Sequence, residues 1–499
     1  MTSLPNDFDL LNYPLTSGSR CLIEAAAGSG KTFTLENLYI RLLTEGITED
    51  DGNIYYPSVD EILVVTFTEA ATAELIERLR HNLSNAVVFL TDWDRLTEKD
   101  HQSIIGQILN KTASQPGTRK HIRVRLEEAL ADFDRAAIQT IHGFCNRILS
   151  DFAFEAAIPL NTELTGDNQQ FITEVVNDYW RQRFYDENTP FAKGEIPVKP
   201  KELIMLAQSF SSDPEVKVSP DVDSILSGAP EIDQTEAREL ILADFIHYLR
   251  SDQPLKRLKE RLHQQAYDDL LLNLRSVLRE SSPATNLIRS RYKTAMIDEF
   301  QDTDPVQYEI FSSLFNRKDA MFIMVGDPKQ SIYRFRGADV YAYLDAAAEL
   351  KPEERTTLSK NYRSTAPLIT AMNGLFDVSD PFYEKDIIYH KITAASEPPV
   401  LTLPGLNTPE SPLIFRLVNP DSSSAKGLIV SAIIRDVSAE ISRLLAPGSG
   451  AELTGMDKYG NPASRPVKSS DIAILTSSNK QAEDFQNSLR EHGIIAVIK

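Results

Sequence analysis

Residues 21–34 read CLIEAAAGSGKTFT. An apolar run ends in small residues, and Lys-Thr then opens a stretch with helical spacing. Strand, small-residue turn and helix in that order form the context a phosphate-binding Walker A loop requires. Small side chains at Ala25, Ala26, Ala27, Gly28, Ser29 and Gly30 let backbone N–H groups face an anion at a helix N-terminus. Lys31 would then reach the β and γ oxygens of a nucleotide such as ATP, and the Thr32 hydroxyl would bind Mg2+. Ala25 stands where the pattern usually has glycine.

Working outward, four more apolar runs follow: EILVVTFT from Glu61, AAIQT from Ala136, TAMIDEF from Thr294 and MFIMVGD from Met321. Near-continuous apolar strands alternating with helical stretches predict a parallel sheet covered on both faces, the doubly wound α/β class. The fourth run continues into MIDEFQD, where Asp298 is placed to hold Mg2+ and Glu299 to orient or deprotonate an attacking water. Taken alone, such an acidic pair also suits a helix N-terminus. Lys31 and Asp298 lie 298 − 31 = 267 positions apart, so a domain must be inserted between them. Residues 166–266 fit that role, with helical periodicity broken by SSDPEVKVSPDVDS.

The fifth run leads into GDPKQSIYRFRGAD, Gly326–Asp339. Gln330 is placed to sense a γ-phosphate. Tyr333 and Phe335 offer faces on which a single strand can stack, although Tyr333 suits a core equally well. TFTEAATAEL from Thr66 and TIHGFCNRIL from Thr140 each end a strand and open a helix, which suits phosphate contacts. Thr66, Phe67, Thr68 and His142 are therefore candidate DNA contacts, with a structural role the alternative for His142. In NYRST, Arg363 is a candidate cation for the γ-phosphate or an ordinary ion-pair partner, and Tyr362 a candidate adenine platform.

The 499 residues suit about three domains: 1–165 with 267–354, then 166–266, then 355–499. The third is a second α/β pattern with strands RTTLSKN, SPLIFRLVN and DIAILT and helices at 427–445 and 479–491. LTLPGLNTPESP and the stretch 446–470 read as loops. A net charge of −20 counts against a protein that simply coats DNA; any nucleic-acid site must be local, and a restricted channel in an acidic exterior satisfies both. Two cysteines give no disulfide framework, and no run has the length of a membrane span, so a soluble cytoplasmic protein is expected.

These segments, in this order, resemble motifs I, Ia, Ib, II, III and IV of the UvrD-like superfamily 1 helicases, nearest to the RecB branch. LIEAAAGSGKTFT, LVVTFTEAATAEL, TIHGFCNRIL, AYDDLL, MIDEFQDTDPVQY and GDPKQSIYRFRGAD carry the likeness. The resemblance implies two RecA-like domains, the first with the helical insertion and the second incomplete. It also implies ATP- and Mg2+-driven 3′-to-5′ movement on single-stranded or duplex-end DNA, in break repair with RecC-like and RecD-like subunits. The adenine-reading glutamine is missing, with Thr16 about where it would stand. Motifs V and VI and a nuclease domain are not found, so a second polypeptide supplying them is one expectation. An ATP- and DNA-binding module without motor activity is the other.

Overall fold

The computed structural model describes residues 6–498 apart from 155–162, 167, 186–195, 216, 220, 228–233, 281–282, 333–338, 383, 396–398, 404–411, 419–425 and 457–461. By their contacts the residues form two compact units, Met1–Ala25 with Lys31–Thr357 and Ala26–Gly30 with Leu358–Lys499. Among the described residues no helix is long and apolar enough to cross a membrane.

The first unit is built on a seven-stranded sheet: β1 (Asn6–Asp7), β2 (Arg20–Ala25), β3 (Ile62–Thr66), β4 (Ile138–Thr140), β5 (Thr294–Ile297), β6 (Met321–Gly326) and β7 (Arg355–Leu358). Their order is β1-β7-β2-β6-β5-β3-β4, with parallel pairing. Every residue of β3, β5 and β6 is buried, as expected of central parallel strands covered on both faces. On one face Leu63, Val65, Ile297 and Met324 pack with Phe144, Leu274 and Phe311 from the helices Ile141–Asp151, Tyr267–Arg279 and Pro305–Phe315. Helix starts are written locally: Thr68, Thr140 and Asp304 each accept a backbone N–H three residues on, and Gln307 completes a capping box with Asp304.

The chain leaves β2 toward β3 but leaves β6 toward β7, in opposite directions along the sheet. Adjacent strands with opposed outgoing connections open a crevice at their carboxyl ends. The insertion begins and ends at a parallel pair, Glu163–Thr165 with Gln264–Ala266. Its helices, among them Gln169–Phe184 and Gln234–Ser251, close over a separate core containing Val176, Tyr179, Leu203 and Phe245.

Two expectations about the later chain need correction. RTTLSKN does not open a second unit: its first residues are β7, paired with β1 in the first sheet. Neither SPLIFRLVN nor DIAILT forms a strand over the described residues 412–418 and 472–476. Leu417 and Leu475 are 94% and 98% exposed. An apolar run becomes a strand only where another strand's edge pairs with it in a ladder. The second unit's antiparallel sheet instead joins Val400–Thr402, Glu452–Met456 and Pro462–Pro466, which apart from Val400 lie inside segments expected to be loops. Their Gly, Pro and Ser content conceals strand propensity, and pairing overrides it. The helices Lys426–Leu445 and Asn479–Glu491 stand where expected.

Candidate active site

The expected chemistry-bearing residues of the first unit gather at the carboxyl edge of its sheet. Lys31 opens the helix Lys31–Glu45, whose first N–H groups have no partner within the helix. Its side chain, 11% exposed, places Nζ 2.6 Å from Glu299 Oε2 and 3.4 Å from Gln330 Oε1. Three expected residues from distant parts of the sequence therefore meet.

Asp298 follows β5 and donates its backbone N–H to the Val65 carbonyl of β3 at 2.9 Å. Glu299 adopts a left-handed conformation, φ +50°, which costs an L-residue about 1–2 kcal/mol. The turn is held because Gln301 Nε2 donates to Glu299 Oε2 at 2.8 Å while Gln301 Oε1 accepts the Asp327 N–H at 2.9 Å. A Cβ at Gly326 would lie 2.7 Å from that oxygen and 3.1 Å from the Gln301 and Phe300 backbone nitrogens, so glycine leaves room for the contact.

Burial, reinforced by the Glu299 carboxylate and opposed by Lys31, pushes both Asp298 and Asp302 up to about 6. Three carboxylates thus share one lysine. Asp302 Oδ1 is also buried without a hydrogen-bond partner. The excess of negative charge and the oxygen-only donors fit a hard divalent cation. No cluster of three or more His, Cys, Asp or Glu side chains forms a protein-only cage among the described residues.

In the second unit, the loop Ala26–Gly30 packs on NYRS. Tyr362 N–H donates to the Gly28 carbonyl at 2.8 Å, and Asn361 Nδ2 donates to the Ala27 carbonyl at 2.7 Å. Asn361 Oδ1 in turn accepts the N–H groups of Arg363 and Ser364 at 3.0 and 2.8 Å. Gly28 has φ +79°, and a Cβ there would lie 2.6 Å from Arg363 Cβ. Tyr362 and Arg363 are exposed beside the loop. Asn361, which sequence reading passed over, organises this turn; an Asn accepting from residues two and three ahead is the signal available.

The candidate nucleic-acid residues divide. Thr66, expected at the surface, is buried, and its hydroxyl is committed to Thr72 Oγ1 at 2.6 Å. Thr68 uses its hydroxyl to cap the helix Glu69–Thr91. Phe67 is half-buried. His142 is half-buried with its ring edge-on to Tyr267 at 5.6 Å. Burial pulls its pKa below the ordinary imidazole value, against the opposing charge of Asp268. Tyr267, 45% exposed, was not singled out; its place in AYDDLL at the start of a helix was the only clue. Tyr333 and Phe335 lie outside the described residues.

Thr16 is not near the Walker loop. It bridges Thr48, beyond the far end of the helix that Lys31 opens. That helix has 15 residues, about 22 Å at 1.5 Å per residue. The sequence 14–20 runs directly into β2 and contains no helix to carry Thr16 to the other edge.

The sequence matches the UvrD/REP helicase N-terminal domain over residues 10–351. It is 30% identical to the RecBCD enzyme subunit RecB of Mycobacterium tuberculosis, over 98% of this chain and 41% of that protein. It is 27% identical to RecBCD enzyme subunit RecB of Escherichia coli strain K12, over 98% of this chain and 48% of that protein. The chain spans less than half the length of these two curated relatives. With a seven-stranded parallel sheet, the phosphate-loop lysine against the Asp-Glu turn and a domain match covering most of its length, this chain belongs to the UvrD/Rep-type helicase family.

Proposed function

We propose that this chain couples ATP hydrolysis to 3′-to-5′ movement along single-stranded DNA, in recombinational repair of double-strand breaks beside RecC-like and RecD-like subunits in the cytoplasm. The observation that carries the reading is the meeting of Lys31, Glu299 and Gln330 at the carboxyl edge of a parallel sheet. The loop Ala25–Thr32 and the free N–H groups of its helix cradle the triphosphate. Lys31 exchanges Glu299 for β and γ oxygens, which releases the Glu299 carboxylate to orient the attacking water and accept its proton. Thr32 and Asp298 would hold Mg2+, which would supply positive charge against the phosphates. Gln330 senses the γ-phosphate, Tyr362 faces adenine and Arg363 supplies a cation. Phe67, His142 and Tyr267 are the DNA contacts of the described residues, with Tyr333 and Phe335 as further candidates. Thr66 is left out because its hydroxyl is buried, and Thr68 because its hydroxyl is a cap.

The test is single-strand-stimulated ATP hydrolysis by the wild type and by Glu299→Gln. The variant should bind Mg2+–ATP at least as tightly and lose hydrolysis, since the carboxylate acts only on water. Unchanged hydrolysis in Glu299→Gln overturns the assignment. ATP and DNA binding by the wild type without stimulated hydrolysis would favour a binding module instead.

A further inference from the structure

The turn that carries Gln330 hangs on a lysine. Lys329, with its side chain 12% exposed, places Nζ 2.5 Å from Glu24 Oε1 and 2.7 Å from Asp327 Oδ1. Burial alone would lower its pKa, but the two carboxylates outweigh burial and hold it above the ordinary lysine value. The ammonium is therefore kept charged. Glu24 is the residue before Ala25 in β2, and Asp327 follows β6, so Lys329 joins the ends of two paired strands. Asp327 passes the constraint on: its Oδ1 accepts the Lys329 N–H at 3.1 Å, its carbonyl the Gln330 N–H at 2.8 Å, and its Oδ2 Gln330 Nε2 at 2.7 Å. With the amide nitrogen taken by Asp327, the amide oxygen is the end that faces Lys31.

We propose that Lys329 is a positioning residue for ATP hydrolysis, tying the strand that enters the phosphate loop to the turn of Gln330 and so fixing which end of the Gln330 carboxamide meets Lys31. The inference rests on the proposed function for the role of Gln330. Glu24 is part of the device, because it is the anchor on the phosphate-loop side. A residue that orients a catalytic contact without touching substrate changes kcat and leaves nucleotide affinity nearly intact.

Three variants of the full chain test this. Glu24→Gln cuts the tie while leaving Lys329 and Asp327 as a balanced pair; Lys329→Met removes the cation; Lys329→Arg restores it. The readouts are kcat and KM for single-strand-stimulated ATP hydrolysis, amide hydrogen exchange over residues 326–331, and melting temperature. Glu24→Gln and Lys329→Met should lose roughly 10- to 100-fold in kcat, the loss typical when a supporting contact behind a reactive group is removed. Their KM should stay within about 3-fold, and Lys329→Arg should recover most of the rate. The amides of Lys329 and Gln330 should exchange faster in the first two variants while the helix Pro305–Phe315 is unchanged. Wild-type kcat and wild-type exchange in Glu24→Gln overturn the proposal. So does a joint fall of kcat, affinity and melting temperature that arginine fails to rescue, which would make Lys329 a stability residue only. If the wild type binds ATP without hydrolysing it, the functional reading fails alone, and the exchange data still decide whether Lys329 holds the turn.

Discussion

Lys31→Ala gives the sharpest test of the nucleotide site, and its size follows from the geometry. Without nucleotide, Lys31 Nζ lies 2.6 Å from Glu299 Oε2; at an effective dielectric of 20 that pair interacts by about 6 kcal/mol. A phosphate oxygen at about 2.8 Å would attract the ammonium by a similar amount. The exchange is therefore nearly neutral in Coulomb energy, and the net gain is that of a hydrogen bond to a charged group, about 1.5–3 kcal/mol. Lys31→Ala should weaken Mg2+–ATP binding by about 10- to 150-fold, far less than the bare attraction would give. A second effect adds to it. With the lysine gone, Asp298, Glu299 and Asp302 face the triphosphate unopposed, so the double variant Lys31→Ala/Glu299→Gln should bind more tightly than Lys31→Ala alone. Isothermal calorimetry with a nonhydrolysable ATP analogue at fixed salt measures both, with melting curves to confirm folding. Equal affinity in wild type and Lys31→Ala would refute the site assignment. A double variant no better than the single one would refute the exchange argument.

Gly28→Ala places an L-residue at φ +79°, with its Cβ 2.6 Å from Arg363 Cβ; the backbone strain alone costs about 1–2 kcal/mol. The loop must shift off NYRS, so nucleotide affinity should fall at least 10-fold; wild-type affinity by calorimetry would disprove the fit. Burial raises Asp304 from its ordinary 3.8 to about 6, so between those values the folded chain holds the extra proton and the contribution to stability falls as pH rises. Asp304→Asn keeps the helix cap and should stabilise by up to about 3 kcal/mol near pH 7.5 and by almost nothing near pH 4; a pH-independent difference in denaturant unfolding contradicts this. Phe335→Ala and Tyr267→Ala should each cost roughly 1–3 kcal/mol of single-strand affinity with little base preference. Fluorescence anisotropy at fixed salt checks each, and unchanged affinity removes that residue from the DNA path.

The first unit was legible because its signals are local. A parallel strand buried on both faces must be apolar along its whole length, and a phosphate turn must be small and followed by Lys-Thr, so β2, β3, β5 and β6 and the loop at 25–32 could be read one segment at a time. The MIDEFQD carboxylates were legible for the same reason, since they end an apolar strand. What the sequence could not contain is who meets whom. That Lys31 touches Glu299, that Gln301 and Lys329 hold the turns around them, and that Asn361 organises NYRS depend on segments brought side by side from 26 to 334 positions apart. Pairing also overruled composition, giving Glu452–Met456 and Pro462–Pro466 a ladder despite their glycine and prolines, while the better strand formers of DIAILT have none among the described residues. Burial removed Thr66 from the surface, and connectivity put Thr16 at the wrong edge of the sheet. Residue type sets the chemistry a side chain can do; only the packed chain determines whether that group reaches a partner, a ligand or neither.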